Sequence, residues 1–248
     1  MLAVLPQFIK MILGGWQKLT LIDYPGKIAM TVFTVGCNFR CPFCHNPQLV
    51  SVSLPPALGK GGIEGGLEKE FFDFLKKRKG KLEGVCITGG EPIIQKDLVD
   101  FIKKIKKLGF AVKLDTNGAR PDILKQIIDQ KLVDFLAMDI KNSLKKYSET
   151  SGVKVDTDRI KLSVELIKNS GLPYEFRTTA VPGFHTEKDF SEIAAWLKGS
   201  KKYFLQEYRQ EKTLDAKIGK ITKGKKIDLE KIKKKIEKNF DFVGVRSQ

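Results

Sequence analysis

Short β-branched and aromatic stretches alternate with amphipathic stretches of about ten residues along most of the chain, and this alternation restricts the fold more than any other feature. Lys27–Val35, Gly84–Thr88, Phe110–Leu114, Phe135–Ile140, Glu175–Val181, Tyr203–Tyr208 and Phe242–Val245 read as strands. Leu67–Lys79, Asp97–Lys107, Pro121–Lys131, Asp158–Asn169, Glu187–Leu197 and Asp228–Lys238 read as helices. In the second of these helices Leu98, Phe101, Ile102 and Ile105 recur at helical spacing, and Gly109 supplies a stop. Strands that alternate with helices call for a parallel sheet joined by right-handed crossovers. Roughly six such units are too few for a closed eight-stranded barrel. The expected fold is therefore α/β, a partial (β/α)6 TIM-like barrel with a parallel sheet in a single domain. That domain is expected over residues 15–248, closing with a C-terminal helix and strand, behind an N-terminal extension or arm at 1–14. Met11 is an alternative start. Leu19–Gly26 reads as an extended piece ending in a Pro-Gly turn, Leu54–Gly66 as a flexible surface loop, and Lys212–Lys226 as a basic linker.

Each expected strand ends in a polar or glycine motif. In such folds function gathers at the C-terminal ends of the strands. Here those ends carry Cys37-x3-Cys41-x2-Cys44, then Thr88-Gly-Gly-Glu-Pro92, Asp115-Thr-Asn-Gly118, Asp139-Ile-Lys141 and Val181-Pro-Gly183. All would fall on one rim.

Three cysteines in one short segment make a soft-ligand site. Their spacing would also suit one helix face, but Pro42 argues for a loop. Three thiolates are one too few for a closed tetrahedral zinc site or a fully protein-ligated cubane. Cys41-Pro-Phe-Cys44-His45 fits the haem-attachment pattern but leaves Cys37 idle. A zinc site completed by His45 needs adjacent residues to reach one ion. A [4Fe-4S] cluster with one iron open to a small molecule uses all three thiolates. Thr88–Pro92 favours that third reading: two glycines permit close backbone approach, and the carbonyls and Glu91 would accept from an ammonium group.

The remaining composition excludes other classes. With 4 cysteines, 3 of them clustered, there is no disulfide framework, and the chain suits a reducing cytoplasm. Cys86 reads as a small core residue on a strand. No run of about 18 apolar residues crosses a membrane, and no signal peptide is read at the N-terminus. The net charge of +16 comes mostly from lysines on helix faces, read as solvated surface or as docking ground for an acidic partner. Nucleic acid is disfavoured because aromatics do not interleave with those lysines.

Taken together, these motifs resemble the radical S-adenosylmethionine (SAM) superfamily. The cluster motif includes the aromatic Phe43 before its third cysteine, and Thr88–Pro92 resembles the Gly-Gly-Glu-Pro motif. Cys44-His-Asn-Pro47, Asp115–Gly118, Met138–Lys141 and Val181–Gly183 resemble the glycyl-radical-enzyme activases. Leu19–Lys27 looks like the branch that activates anaerobic ribonucleoside-triphosphate reductase. The resemblance implies a barrel of the radical SAM type, a [4Fe-4S] cluster on Cys37, Cys41 and Cys44, and SAM on its free iron. It implies reductive cleavage of SAM and removal of an α-hydrogen from a glycine in a partner enzyme. Phe43, Cys44 and His45 would receive the adenine. Gly89, Gly90 and Glu91 would hold the amino group, and Asp139, Ile140 and Lys141 would meet ribose and carboxylate. Asp115, Thr116 and Asp139, with the Met138 carbonyl, resemble a monovalent-cation site, and Asn117 is a further cofactor-binding candidate. Asp23 and Arg177 would grip the partner's glycine loop, and His185 is read as a surface or rim residue. The implied partners are a glycyl radical enzyme, foremost an anaerobic ribonucleotide reductase, and a flavodoxin or ferredoxin electron donor. Two alternatives are a small-molecule substrate, as in the 7-carboxy-7-deazaguanine synthases, and an activase of the pyruvate formate-lyase type.

Overall fold

The computed structural model describes residues 11–51 and 66–247. Residues 1–10 of the expected arm, and all of the expected Leu54–Gly66 loop except Gly66, lie outside the described residues. The chain divides into two compact units. The first comprises the chain up to Asn38, Gln48–Thr116 and Asp122–Leu136; the second comprises Phe39–Pro47, Asn117–Pro121 and everything from Ala137 onward.

In the first unit, strand β1 (Leu13–Thr20) runs antiparallel to β2 (Ala29–Thr34), and β2, β3 (Gly84–Gly89) and β4 (Ala111–Thr116) run parallel. Helices α1 (Gly66–Lys77) and α2 (Leu98–Lys107) fall between these strands in sequence, and α3 (Pro121–Asp129) follows β4. β2 is apolar and buried nearly throughout, as a strand with both faces covered requires. Leu98, Phe101, Ile102 and Ile105 of α2 are all buried, so the helical spacing read from the sequence is the packed face. Phe71 of α1 stacks on Phe101 of α2 with centroids 5.3 Å apart. Burying a Phe side chain contributes about 1.5–3 kcal/mol.

The second unit takes over within β5 (Phe135–Asp139). It continues through α4 (Tyr147–Ser151), α5 (Thr157–Lys168), β6 (Tyr174–Ala180), α6 (Glu187–Trp196), β7 (Ser200–Glu207), α7 (Ile218–Thr222), α8 (Leu229–Ile236) and β8 (Phe240–Arg246). Strands β6, β7 and β8 are parallel neighbours in that order. Alternate residues of β6 are fully buried (Tyr174, Phe176, Thr178, Ala180), while Arg177 and Thr179 face a more open side. That open side carries the chemistry described below. A full capping box at Thr186 and Asp189 starts α6.

The α/β alternation is as expected, and most element boundaries agree within about two residues. Three stretches differ. β1 begins at Leu13, inside the expected arm, and β1 is an edge strand whose Gly14 and Gly15 hide its pattern. α4 is one short turn of helix that no periodicity announces. The expected linker Lys212–Lys226 contains α7, with Ile218 and Thr222 buried, so part of it belongs to the packed body. Among the described residues no helix is long and apolar enough to cross a membrane.

Candidate active site

The first unit supplies the strand end that precedes the cysteines. Where β2 stops, Val35, Gly36 and Cys37 are tied on two sides. Gly36 donates to the Leu49 carbonyl at 2.7 Å and Cys37 to the Val50 carbonyl at 3.1 Å. On the other side Gly90 donates to the Thr34 carbonyl and Glu91 to the Gly36 carbonyl, both at 2.8 Å. The Gln95 amide donates to the Val35 carbonyl at 2.9 Å.

This lacing explains the two glycines differently from the sequence reading. A Cβ on Gly89 would lie 2.3 Å from the Thr34 nitrogen, and one on Gly90 would lie 2.2 Å from the Gly36 oxygen. Gly89 also has φ +119°, a conformation that side chains rarely adopt. The glycines are thus required by the chain's own backbone before any ligand arrives. Glu91 is 2 % exposed. Its Oε1 accepts from the Thr116 hydroxyl at 2.7 Å and from the Ile93 N–H at 3.3 Å, capping the turn Pro92–Ile94. Thr116 therefore anchors the Gly-Gly-Glu motif. Asp115 forms an ion pair with Lys113, a lysine only 1 % exposed whose ammonium also lies 3.7 Å from the Cys86 sulfur. Cys86 is fully buried on β3, as expected. Asp23 accepts from the Thr31 hydroxyl at 2.6 Å.

The second unit holds Phe39–Pro47 from several sides. Arg40 donates to the Ser151 carbonyl of α4 at 2.8 Å, Cys44 to the Cys41 carbonyl at 3.0 Å, and Asp215 of the former linker to the Pro42 carbonyl at 2.9 Å. Phe43 packs edge-on against Phe184 with centroids 5.6 Å apart. His45 lies beside Tyr208 at 5.4 Å. Both of its ring nitrogens are buried without a hydrogen-bond partner, and burial lowers its pKa. Burial pushes the Cys41 thiol up to about 11, against a lowering pull from Lys141.

An open cleft of about 190 Å³ is lined by Phe43, Asp139, Ile140, Lys141 and Thr179. The Arg177 Nε and Nη2 donate to Asp139 Oδ1 at 2.9 and 2.8 Å, and Lys141 Nζ donates to Oδ2 at 3.1 Å. Burial raises the Asp139 pKa, but Arg177 and Lys141 outweigh it and hold the carboxyl below the usual range. Burial disfavours the Lys141 charge, yet Asp139 more than restores it. Ile140 donates to the Arg177 carbonyl at 2.7 Å and accepts from the Thr178 hydroxyl at 2.8 Å. Asn117 accepts from the Ala119 N–H at 3.0 Å, shaping the turn after β4. His185 is a correction: it is 4 % exposed rather than a surface residue. Its ring lies stacked on Phe190 at 5.5 Å, and the segment after β6 folds inward to bury it. Lys113, α4 and the Asp215 contact escaped sequence reading. A charged residue alternating on a strand was the one available signal for Lys113.

Among the described residues, no three Cys, His, Asp or Glu side chains are gathered tightly enough to hold a metal ion. The donor set itself is soft, since none of the four cysteines forms a disulfide. The family described as the Radical SAM superfamily matches residues 31–197. The chain belongs to the radical SAM superfamily. A protein of Methanocaldococcus jannaschii, named as a glycyl-radical enzyme activating enzyme, is 32 % identical over 246 residues, covering 96 % of this chain and 97 % of that one. The pyruvate formate-lyase-activating enzyme of Clostridium pasteurianum is 29 % identical over 178 residues, 70 % of each chain. The solved structure of Streptococcus suis SuiB bound to S-adenosylmethionine aligns with TM-score 0.59 at 15 % identity, over 86 % of this chain and 48 % of that one. It shows a shared fold. Membership in this superfamily implies a [4Fe-4S] cluster and SAM, and the three thiols and the polar cleft are of the right chemistry for both.

Proposed function

We propose that this radical SAM enzyme activates a glycyl radical enzyme, with an anaerobic ribonucleotide reductase as its partner. The observation that carries the reading is the near-full-length similarity to a relative named as a glycyl-radical enzyme activating enzyme. The Leu19–Lys27 motif supports the choice of reductase over other partners.

Cys37, Cys41 and Cys44 would hold the cluster, and Gly90, Glu91, Asp139 and Lys141 would meet SAM. When bound, the reduced cluster supplies one electron for cleaving SAM, and the protein provides binding, orientation and exclusion of water. Glu91, fixed by Thr116 and the turn it caps, is ready to accept from an ammonium group. Lys141, kept charged by Asp139, offers a cation for a carboxylate. Phe43 and Ile140 supply apolar lining to the cleft. Asp115 already pairs with Lys113, and Asp139 with Arg177, so a monovalent cation at either carboxylate would share it.

The test mixes reconstituted protein, SAM, a low-potential reductant and the reductase of the same genome without oxygen. Electron paramagnetic resonance should show a glycyl radical on the reductase. A radical raised only on another glycyl radical enzyme would remove the reductase assignment. SAM cleavage that depends on a small molecule, with no radical on any protein, would remove the activase reading.

A further inference from the structure

We propose that Glu175 and Arg246 form a charge clamp that holds the Arg177 guanidinium on Asp139. Five alternating charges are linked in the second unit: Arg246, Glu175, Arg177, Asp139 and Lys141. Arg246 Nη1 and Nη2 donate to the two Glu175 oxygens at 2.8 and 2.7 Å. Arg177 Nη1 lies 3.9 Å from Glu175 Oε1, while its Nε and Nη2 sit on Asp139 at 2.9 and 2.8 Å. Asp139 then accepts from Lys141 at 3.1 Å. Glu175 and Arg246 do not line the cleft. They are positioning residues, acting on its wall through Arg177.

The physical reason is competition. The Glu175 side chain is 2 % exposed, and a carboxylate that deep must be paired. Arg246 satisfies both oxygens in the bidentate geometry that a guanidinium suits. Without it, a shift of about 1 Å would bring Arg177 into full contact with Glu175. Arg177 would then leave Asp139, and Asp139 would turn its charge on Lys141 alone. Arg246 is itself held in place before pairing. Its guanidinium carbon sits 3.5 Å from the Phe204 ring centroid. The ring has room only because β8 presents glycine there: a Cβ on Gly244 would lie 2.5 Å from it. The last strand thereby sets the electrostatics of a cleft built on β5 and β6.

The inference rests on the reading of Asp139 and Lys141 as SAM-facing, so the experiment separates the two. Full-length protein, reconstituted with iron and sulfide, is titrated with SAM by calorimetry as wild type, R246M, E175Q and E175Q/R246M. R246M should weaken SAM binding by about tenfold or more, since it strands a buried charge. E175Q should stay within about threefold of wild type, and the double variant should return to within about threefold, because the competitor is gone. A double variant as weak as R246M, or an R246M that binds normally, overturns the clamp. Crystal structures supply the second readout. In R246M, Arg177 should sit nearer Glu175 than Asp139, and an Arg177 still on Asp139 overturns the clamp. Should R246M fail to fold, the double variant decides: it should fold and bind, and failure of either overturns the clamp. Wild type that binds no SAM overturns the ligand reading instead, and the Arg177 position still decides the clamp.

Discussion

The Nε2 of His185 donates to the carbonyl of Lys141 at 2.8 Å, while its Nδ1 accepts the Val181 N–H at 3.1 Å. One nitrogen must carry the proton and the other must not, so the ring is held in its neutral Nε2–H form. It ties the Val-Pro-Gly turn to the backbone of a cleft residue. Burial lowers its pKa, against a smaller raising pull from its backbone partners. The unfolded chain therefore takes up the proton first. The site's contribution to stability is full above the unfolded value of about 6.5 and is lost as pH falls through it towards the lowered folded value. Urea unfolding at pH 7.5 and 5.5 should show lower stability in acid. H185Q should cost about 1–3 kcal/mol at pH 7.5 and flatten the slope. An equal slope in wild type and H185Q would leave His185 out of the acid response.

Asp139 lies between Arg177 and Lys141, and its carboxyl stays ionised well below the usual carboxylate range. The sign is the same as for His185, but the pH window lies lower. A depressed carboxyl contributes fully above its unfolded value of about 3.9 and loses that contribution only as pH falls through the folded value. D139N sets two cations against each other and should lower the melting temperature by a similar amount at every pH from 7 down to about 4.5. SAM binding should weaken by about tenfold or more. Melting curves that converge before pH 5 would show that another group carries this charge.

Much of the candidate site was legible because each motif ends a strand, and the end of a strand can be read from where an apolar run stops. The cysteines, Gly89–Glu91, Asp139 and Lys141 are placed at or just after strand ends in this way. What their side chains do was less legible, because partners come from distant sequence. Thr116 reads as a cation ligand until its bond to Glu91 is seen across 25 residues. His185 reads as rim because nothing local announces its bond to Lys141 across 44 residues. The Arg246–Glu175 pair spans 71 residues and joins two strands that each look ordinary alone. In the fold, the exposed edge strand β1 and the short helices α4 and α7 were missed for want of a periodic pattern.

Gly90 offers a test of the lacing between β2 and β3. Its missing Cβ would meet backbone atoms, the Gly36 oxygen at 2.2 Å and the Leu49 oxygen at 2.9 Å, and neither can rotate away. G90A must push the strand end off the Gly-Gly-Glu turn and break the Glu91-to-Gly36 hydrogen bond. Overpacking of this kind costs about 1–3 kcal/mol. Equilibrium unfolding should register that loss, and SAM affinity should fall with it because Glu91 moves. A G90A protein of wild-type stability would mean that the strand end is slack.

The four cysteines divide by position, and iron analysis checks the division. Cys37, Cys41 and Cys44 lie in or next to the loop after β2, whereas Cys86 is fully buried within β3. Anaerobic reconstitution of wild type should yield about four irons per chain. Alanine at Cys37, Cys41 or Cys44 should each lower iron occupancy sharply and abolish 5′-deoxyadenosine formation, because each removes one of three thiolates and leaves no spare. C86A should keep its iron. It removes a buried sulfur and the 3.7 Å contact to the Lys113 ammonium, so its cost should appear in stability instead, at about 1 kcal/mol. Stoichiometric zinc in place of iron, or a cluster that survives loss of Cys37, would overturn the assignment of these thiols. Iron lost from C86A with normal iron in C37A would invert it.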